Sequence, residues 1–113
     1  MKLSDAMAKV REQRDRQERS QEEVARVQQE LDERSRKRLI ELMELIDEPG
    51  VSTRMRGVEL VVKAGDDRLF VSYNVMLDVY SMRSLYGPLA GQLHVDELME
   101  MLAISIVRGL DRH

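Results

Sequence analysis

The sequence predicts an α+β fold: a long N-terminal helix forming a coiled-coil arm, a long antiparallel β-hairpin with a bulge, and a C-terminal helix packed on the sheet. Three observations predict it. Ser4 to Asp47 is a charged run of good helix formers that stops at Glu48-Pro49-Gly50. Residues 69–80 alternate with a period of two. Residues 95–110 are apolar around most of a helical circumference. The chain therefore divides into a charged helical arm, residues 1–49, and a small α+β dimerisation module, residues 50–113.

The arm is rich in Glu, Gln, Arg, Ala and Leu, and acids precede bases by four residues at Glu12/Arg16, Asp15/Arg19, Glu22/Arg26, Glu30/Arg34, Asp32/Arg36 and Glu33/Lys37. That order supports a helix by a few tenths of a kcal/mol (about 0.2–0.5) per pair. Apolar residues fall on a seven-residue stripe at Leu3, Met7, Val10, Val24, Leu31, Leu42 and Leu45, interrupted by Arg14, Gln17, Gln21, Gln28, Ser35 and Arg38. A coiled coil wants most such positions apolar, so the seam is weak in its first half. From Val24 onward the stripe widens through Val27, Leu39, Met43 and Ile46, as core packing requires. Ser20 and Glu23 also fit a capping box. Two readings follow: one helix of roughly 65 Å at about 1.5 Å per residue, which the pairing favours, or a frayed segment before a helix that starts near Ser20.

The remaining length is short for a private core. A domain this small buries a modest share of its surface, which favours a homodimer. The 113 residues contain no cysteine, which excludes disulfides and thiolate metal sites. Net charge is −3, so nucleic-acid binding would depend on local patches. No apolar run approaches a membrane span, and a cytoplasmic protein without membrane contact is the expectation.

In the module, Leu69, Val71, Tyr73, Val75, Leu77 and Val79 share one parity, which indicates a strand with one buried face. Ala64-Gly65-Asp66-Asp67 supplies a turn. Val58, Leu60 and Val62 then oppose Tyr73, Val71 and Leu69. Upstream the apolar parity switches to Val51 and Met55, and a bulge at Arg56-Gly57 would absorb the extra residue, placing Met55, Thr53 and Val51 against Val75, Leu77 and Val79. A rival reading makes 75–86 a helix capped by Asn74 and stopped at Gly87-Pro88; the alternation running through Asn74 favours the strand. Residues 81–93 read as a loop, and a helix over about 95–110 begins with Asp96 and Glu97 at its favourable end.

No constellation of residues carries recognisable chemistry. His94 and Asp96 lack further ligands for a metal, and His94 reads as a loop residue before a helix. No nucleophile motif and no glycine-rich phosphate loop is present, so neither an enzyme, a metal nor a cofactor is expected. The basic run Arg34-Ser35-Arg36-Lys37-Arg38 has acids one turn earlier and reads first as a solvated helix face. Met76, Met82, Met99 and Met101 can supply an adaptable recognition surface, although methionines at such positions more often fill a core.

The order helix, antiparallel strands, helix loosely resembles the small nucleoid-associated dimers, which begin their strands sooner after the helix and end in a longer helical tail. Prefoldin subunits share a coil and a hairpin but have a long second coil. No motif residue corresponds in either case, and neither resemblance implies a function here.

The expected function is a non-enzymatic protein–protein interaction module: a homodimeric adaptor, or an inhibitor that occludes a larger partner, of the kind mobile elements and phages encode. Partner binding falls to Phe70, Asn74, Met76 and Tyr80, and the dimer interface to Val24, Leu31, Leu42, Leu45, Met101, Ile104 and Val107. The alternative is a small nucleic-acid-binding dimer, nucleoid-associated or regulatory, that uses Arg34, Arg36, Lys37, Arg38, Arg54 and Arg56.

Overall fold

The computed structural model describes residues 2–111. Helix α1 (Leu3–Leu45) is followed by five strands, β1 (Val51–Arg56), β2 (Glu59–Ala64), β3 (Asp67–Asn74), β4 (Val79–Ser84) and β5 (Gly87–Leu93), and by helix α2 (Val95–Asp111). The fold is α+β, with a long N-terminal helix, an antiparallel sheet in sequence order β1-β2-β3-β4-β5, and a C-terminal helix packed on that sheet. The chain forms two compact units, Met1–Leu31 and Asp32–His113. The last turns of α1, which the sequence assigned to the arm, therefore belong with the sheet. Among the described residues no helix is long and apolar enough to cross a membrane.

In the first unit α1 runs without a break through residues 11–20, so the continuous helix holds over the start at Ser20. Arg16 pairs with Glu12 at 2.7 Å, one of the i,i+4 pairs the sequence offers. Apart from Ala6 and Leu31, residues 2–31 are exposed.

In the second unit α1 ends through the bond from Ile46 N–H to the Met43 carbonyl, and Val51 N–H then donates to the Glu48 carbonyl at 3.2 Å. Proline second and glycine third, with Gly50 at φ 81°, is the arrangement a type II turn requires. Gly57 and Gly65 hold positive φ as the first residues of two-residue loops between β1 and β2 and between β2 and β3. Glycine in that place suits the type II′ turn whose twist matches hairpin strands.

One sheet face carries the core. Leu60, Val62, Leu69, Val71, Tyr80, Met82 and Leu93 pack with Leu39 and Leu42 of α1 and with Leu98 and Leu102 of α2. Ser35, buried in α1, satisfies its hydroxyl by donating to the Tyr73 carbonyl at 3.0 Å. Helix α2 starts with the His94 N–H donating to the Glu97 carboxylate, the returning half of a capping box.

The β2–β3 register agrees with the sequence reading at Leu60/Val71 and Val62/Leu69. Four other expectations are corrected. Arg56-Gly57 is a reversal, not a bulge, so Val51, Thr53 and Met55 pair with Ala64, Val62 and Leu60 instead of Val79, Leu77 and Val75. Val58 lies in that turn. Residues 75–86 are neither one continuous strand nor a helix: 75–78 turn, closed by Leu77 N–H donating to Asn74 Oδ1 with Asp78 at φ 52°. The span 81–93 contains strand pairing, and the irregular register lies between β4 and β5, where Gln92 has φ 54°.

Candidate functional site

Leu39 and Leu42 of α1 and Leu98 and Leu102 of α2 cover the sheet's core face, and the opposite, outer face is a polar surface built by strand alternation. It carries Ser52, Arg54 and Arg56 from β1, Glu59, Val61 and Lys63 from β2, Arg68, Phe70 and Ser72 from β3, and Ser81 and Arg83 from β4. Two of its apolar side chains are nevertheless covered. Phe70 lies under the Arg83 guanidinium, whose centre stands 4.2 Å from the ring centroid, and Val61 is buried beside it. Glu59 holds Arg83 in place through two bonds of 2.9 Å, which also raise the guanidinium's pKa.

The bound pair Glu59–Arg83 divides the face. On the side toward β5, a hollow of about 490 Å³ is bounded by Phe70, Ser72, Ser81, Arg83 and Pro88. Toward β1, a hollow of about 260 Å³ is bounded by Ser52, Arg54, Val61, Lys63 and Arg68. The first has its cation neutralised; the second has three cations.

A separate polar cluster sits where α1 crosses the β3–β4 turn. The Tyr73 hydroxyl donates a short hydrogen bond to Asp78 Oδ1, Arg38 stands 3.6 Å from the same carboxylate, and the Arg38 guanidinium lies 5.6 Å from the Tyr73 ring centroid. The Tyr73 bond, then the Arg38 charge, hold the Asp78 pKa below the ordinary carboxylate value. Arg38 is itself held more firmly protonated, first by its bond to Tyr73. Tyr80 packs on Tyr73 with centroids 4.8 Å apart, and burial raises its pKa. This cluster ties a turn to a helix; its acid is stabilised as a charge and not poised to exchange a proton.

The residues expected to bind a partner do not share one exposed face. Phe70 is covered on the outer face, and Tyr80 is buried in the core. Asn74 uses its side chain to close the turn on which Met76 is 79% exposed. In the dimer set, Leu42 is a correction: it is 2% exposed and belongs to the chain's own core. Leu31 and Met101 are half-buried, whereas Val24, Leu45, Ile104 and Val107 are exposed. The basic run is split. Arg36 donates to the Gly57 carbonyl at 2.8 Å, beside Arg56 in the chain, while Arg38 joins the Tyr73–Asp78 cluster. Arg34 and Lys37 are exposed on α1, and Arg54 faces outward with Val61.

Lys63 and Arg68 went unnoticed in the sequence. Their signal was available: once Leu60 and Val62 oppose Val71 and Leu69, Lys63 must oppose Arg68 on the other face. His94 serves as the first residue before α2, and among the described residues no group of three or more His, Cys, Asp or Glu side chains is placed to hold a metal ion. Comparison with protein-family models, curated proteins and solved structures finds no match to this chain.

Proposed function

We propose that the chain is a non-enzymatic protein-interaction module that works as a homodimer, either as an adaptor or as an inhibitor that occludes a larger partner. The observation that carries this reading is the exposure of α1 in the first unit, where Leu3, Met7, Val10, Val24 and Val27 all meet solvent. Helices in water draw most of their stability from a packed face, and even favourable isolated sequences are marginal. A second copy presenting the same stripe supplies that face, with the charged flanks setting its register. Helix α2 adds Ile104 and Val107, both more than half exposed, on the side away from Leu98 and Leu102. Exposed apolar residues grouped on two helices are what a shared interface uses.

Sedimentation equilibrium on the full chain tests the reading. A dimer at micromolar concentration, converted to monomer by Val24→Asp with Val27→Asp, is the expected result. A strict monomer across that range overturns it.

The nucleic-acid reading built on Arg34, Arg36, Lys37, Arg38, Arg54 and Arg56 draws less support from the geometry, because Arg36 and Arg38 already serve the Gly57 turn and Asp78.

A further inference from the structure

The cations around the smaller outer hollow are arranged at a cost. Lys63 and Arg68 are directly opposite in the β2–β3 ladder. Arg54 pairs with Val61, which makes it a diagonal neighbour of Lys63 on the same face. Like charges directly opposite in an antiparallel pair destabilise the sheet. Elsewhere on this face the chain avoids that cost by setting Glu59 between Arg56, its ladder partner, and Arg83, its ion-pair partner. Here it does not: among the described residues none of Arg54, Lys63 and Arg68 forms a salt bridge. Asp67 follows the turn but opposes Ala64, on the core side of the ladder. Protection of an exposed sheet edge accounts for charge on β1. It does not account for Lys63 and Arg68, which lie one and two strands inward.

We propose that the hollow bounded by Ser52, Arg54, Lys63 and Arg68 is a phosphate-binding site. Cross-strand neighbours stand about 4.5–5.5 Å apart at Cβ and diagonal ones about 7–8 Å. Long cationic side chains from such positions converge on one tetrahedral oxyanion. A guanidinium offers two parallel donors to phosphate oxygens and Lys63 adds a point charge. Ser52, opposite Lys63 on the same face, brings a hydroxyl donor. Val61 is buried beneath these side chains, and the residues that line the hollow, Thr53 among them, include no carboxylate to compete for the cations. The phosphate belongs either to a small molecule or to a polynucleotide backbone. Phe70 is already covered by Arg83, so this face has no free aromatic ring for base stacking, and a polynucleotide would be held without sequence preference. The site is independent of the dimer reading above.

The test uses the full chain, Lys63→Glu and Arg68→Gln. Thermal melts compare inorganic phosphate with chloride at matched ionic strength, and anisotropy follows a labelled single-stranded oligonucleotide at low salt. The proposal expects a rise in Tm with phosphate, or oligonucleotide binding with a log–log salt slope near −2 (about 0.7 per contact), and at least a tenfold loss of affinity in both variants. A response to phosphate alone assigns a small-molecule source, and one to the oligonucleotide a backbone. Lys63→Glu replaces a like-charged pair by an opposite one, so its ligand-free Tm equals or exceeds the parent's and lost binding is not lost folding; Arg68→Gln gives the second reading without a new ion pair. Absence of both responses in the parent chain, or responses that survive both substitutions, overturns the proposal.

Discussion

Gly109 and Ala64 meet so closely that a Cβ built on Gly109 would stand 2.5 Å from the Ala64 carbonyl oxygen and 3.3 Å from its Cβ. The absent side chain lets α2 settle on β2 and bury Leu98 and Leu102. Replacing a helical glycine by alanine ordinarily stabilises a helix by about 0.5–1 kcal/mol. Here the obstacle is backbone, which cannot swing aside, and overpacking of this kind costs about 1–3 kcal/mol. Gly109→Ala is therefore expected to lower the urea midpoint, against the propensity rule. An unchanged or raised midpoint would show that α2 can lift off β2 without loss.

Leu39 fixes α1 to the sheet. It is fully buried among Leu42, Leu60 and the other core residues, although its helix begins with almost 30 exposed positions (about 45 Å at 1.5 Å per residue). Leu39→Ala removes its packing and leaves a void, at a cost of about 2–5 kcal/mol. Ile40→Ala, one residue on and 37% exposed, gives up less contact and should cost about 1 kcal/mol or less. Chemical denaturation of the two variants side by side checks the contrast; equal losses would mean that α1 does not depend on its packed face.

Much of the architecture was legible, and the misreadings share one cause. Hydrophobic period marks elements well and their ends poorly. Leu69, Val71 and Tyr73 alternate because they line the core, but Val75, Leu77 and Val79 prolong the pattern by coincidence across a turn. The true stop is polar: Asn74 closing on Leu77 and Asp78 in the left-handed region. At Gly57 a positive φ serves a bulge or a hairpin turn equally, and two-residue loops at Gly57-Val58 and Gly65-Asp66 show the simpler use was the right one. Surface chemistry was least legible. Phe70 has the parity of an exposed residue, and its cross-strand neighbours, Arg83 stacked on its ring and Val61 beside it, help to cover it. The opposition of Lys63 and Arg68 needed a register, and their shared hollow with Arg54 needed a third strand.

Stability should fall at both ends of the pH scale for separate reasons. Burial raises the Tyr80 pKa above its ordinary 10.0, so the folded state holds that proton more tightly than the unfolded chain. The resulting stability is whole below pH 10 and is lost as pH rises through the folded value. The Tyr73 bond lowers the Asp78 pKa below 3.8, and that contribution is present above the unfolded value and lost as pH falls through the folded one. Tyr80→Phe should flatten the alkaline limb in urea melts between about pH 8 and 11, and Asp78→Asn the acid limb below about pH 4. Alkaline limbs of equal slope in the parent and Tyr80→Phe would remove Tyr80 as the cause.

The exposed stripe on α1 predicts helicity that depends on concentration. If Val24 and Val27 pack against a second copy, dilution through the dissociation constant strips the first unit of its partner while Leu39 and Leu42 keep residues 32–45 in place. Circular dichroism at 222 nm should then drop on dilution by the contribution of up to some 29 residues of helix, in step with dissociation seen by sedimentation. Val24→Asp should show the diluted spectrum at every concentration. The near-ultraviolet signal of Tyr73 and Tyr80, stacked inside the second unit, should stay constant throughout. A far-ultraviolet spectrum unchanged from high to low concentration, with Val24→Asp indistinguishable from the parent, would mean that the charge pairs along residues 3–31 hold the helix without a companion.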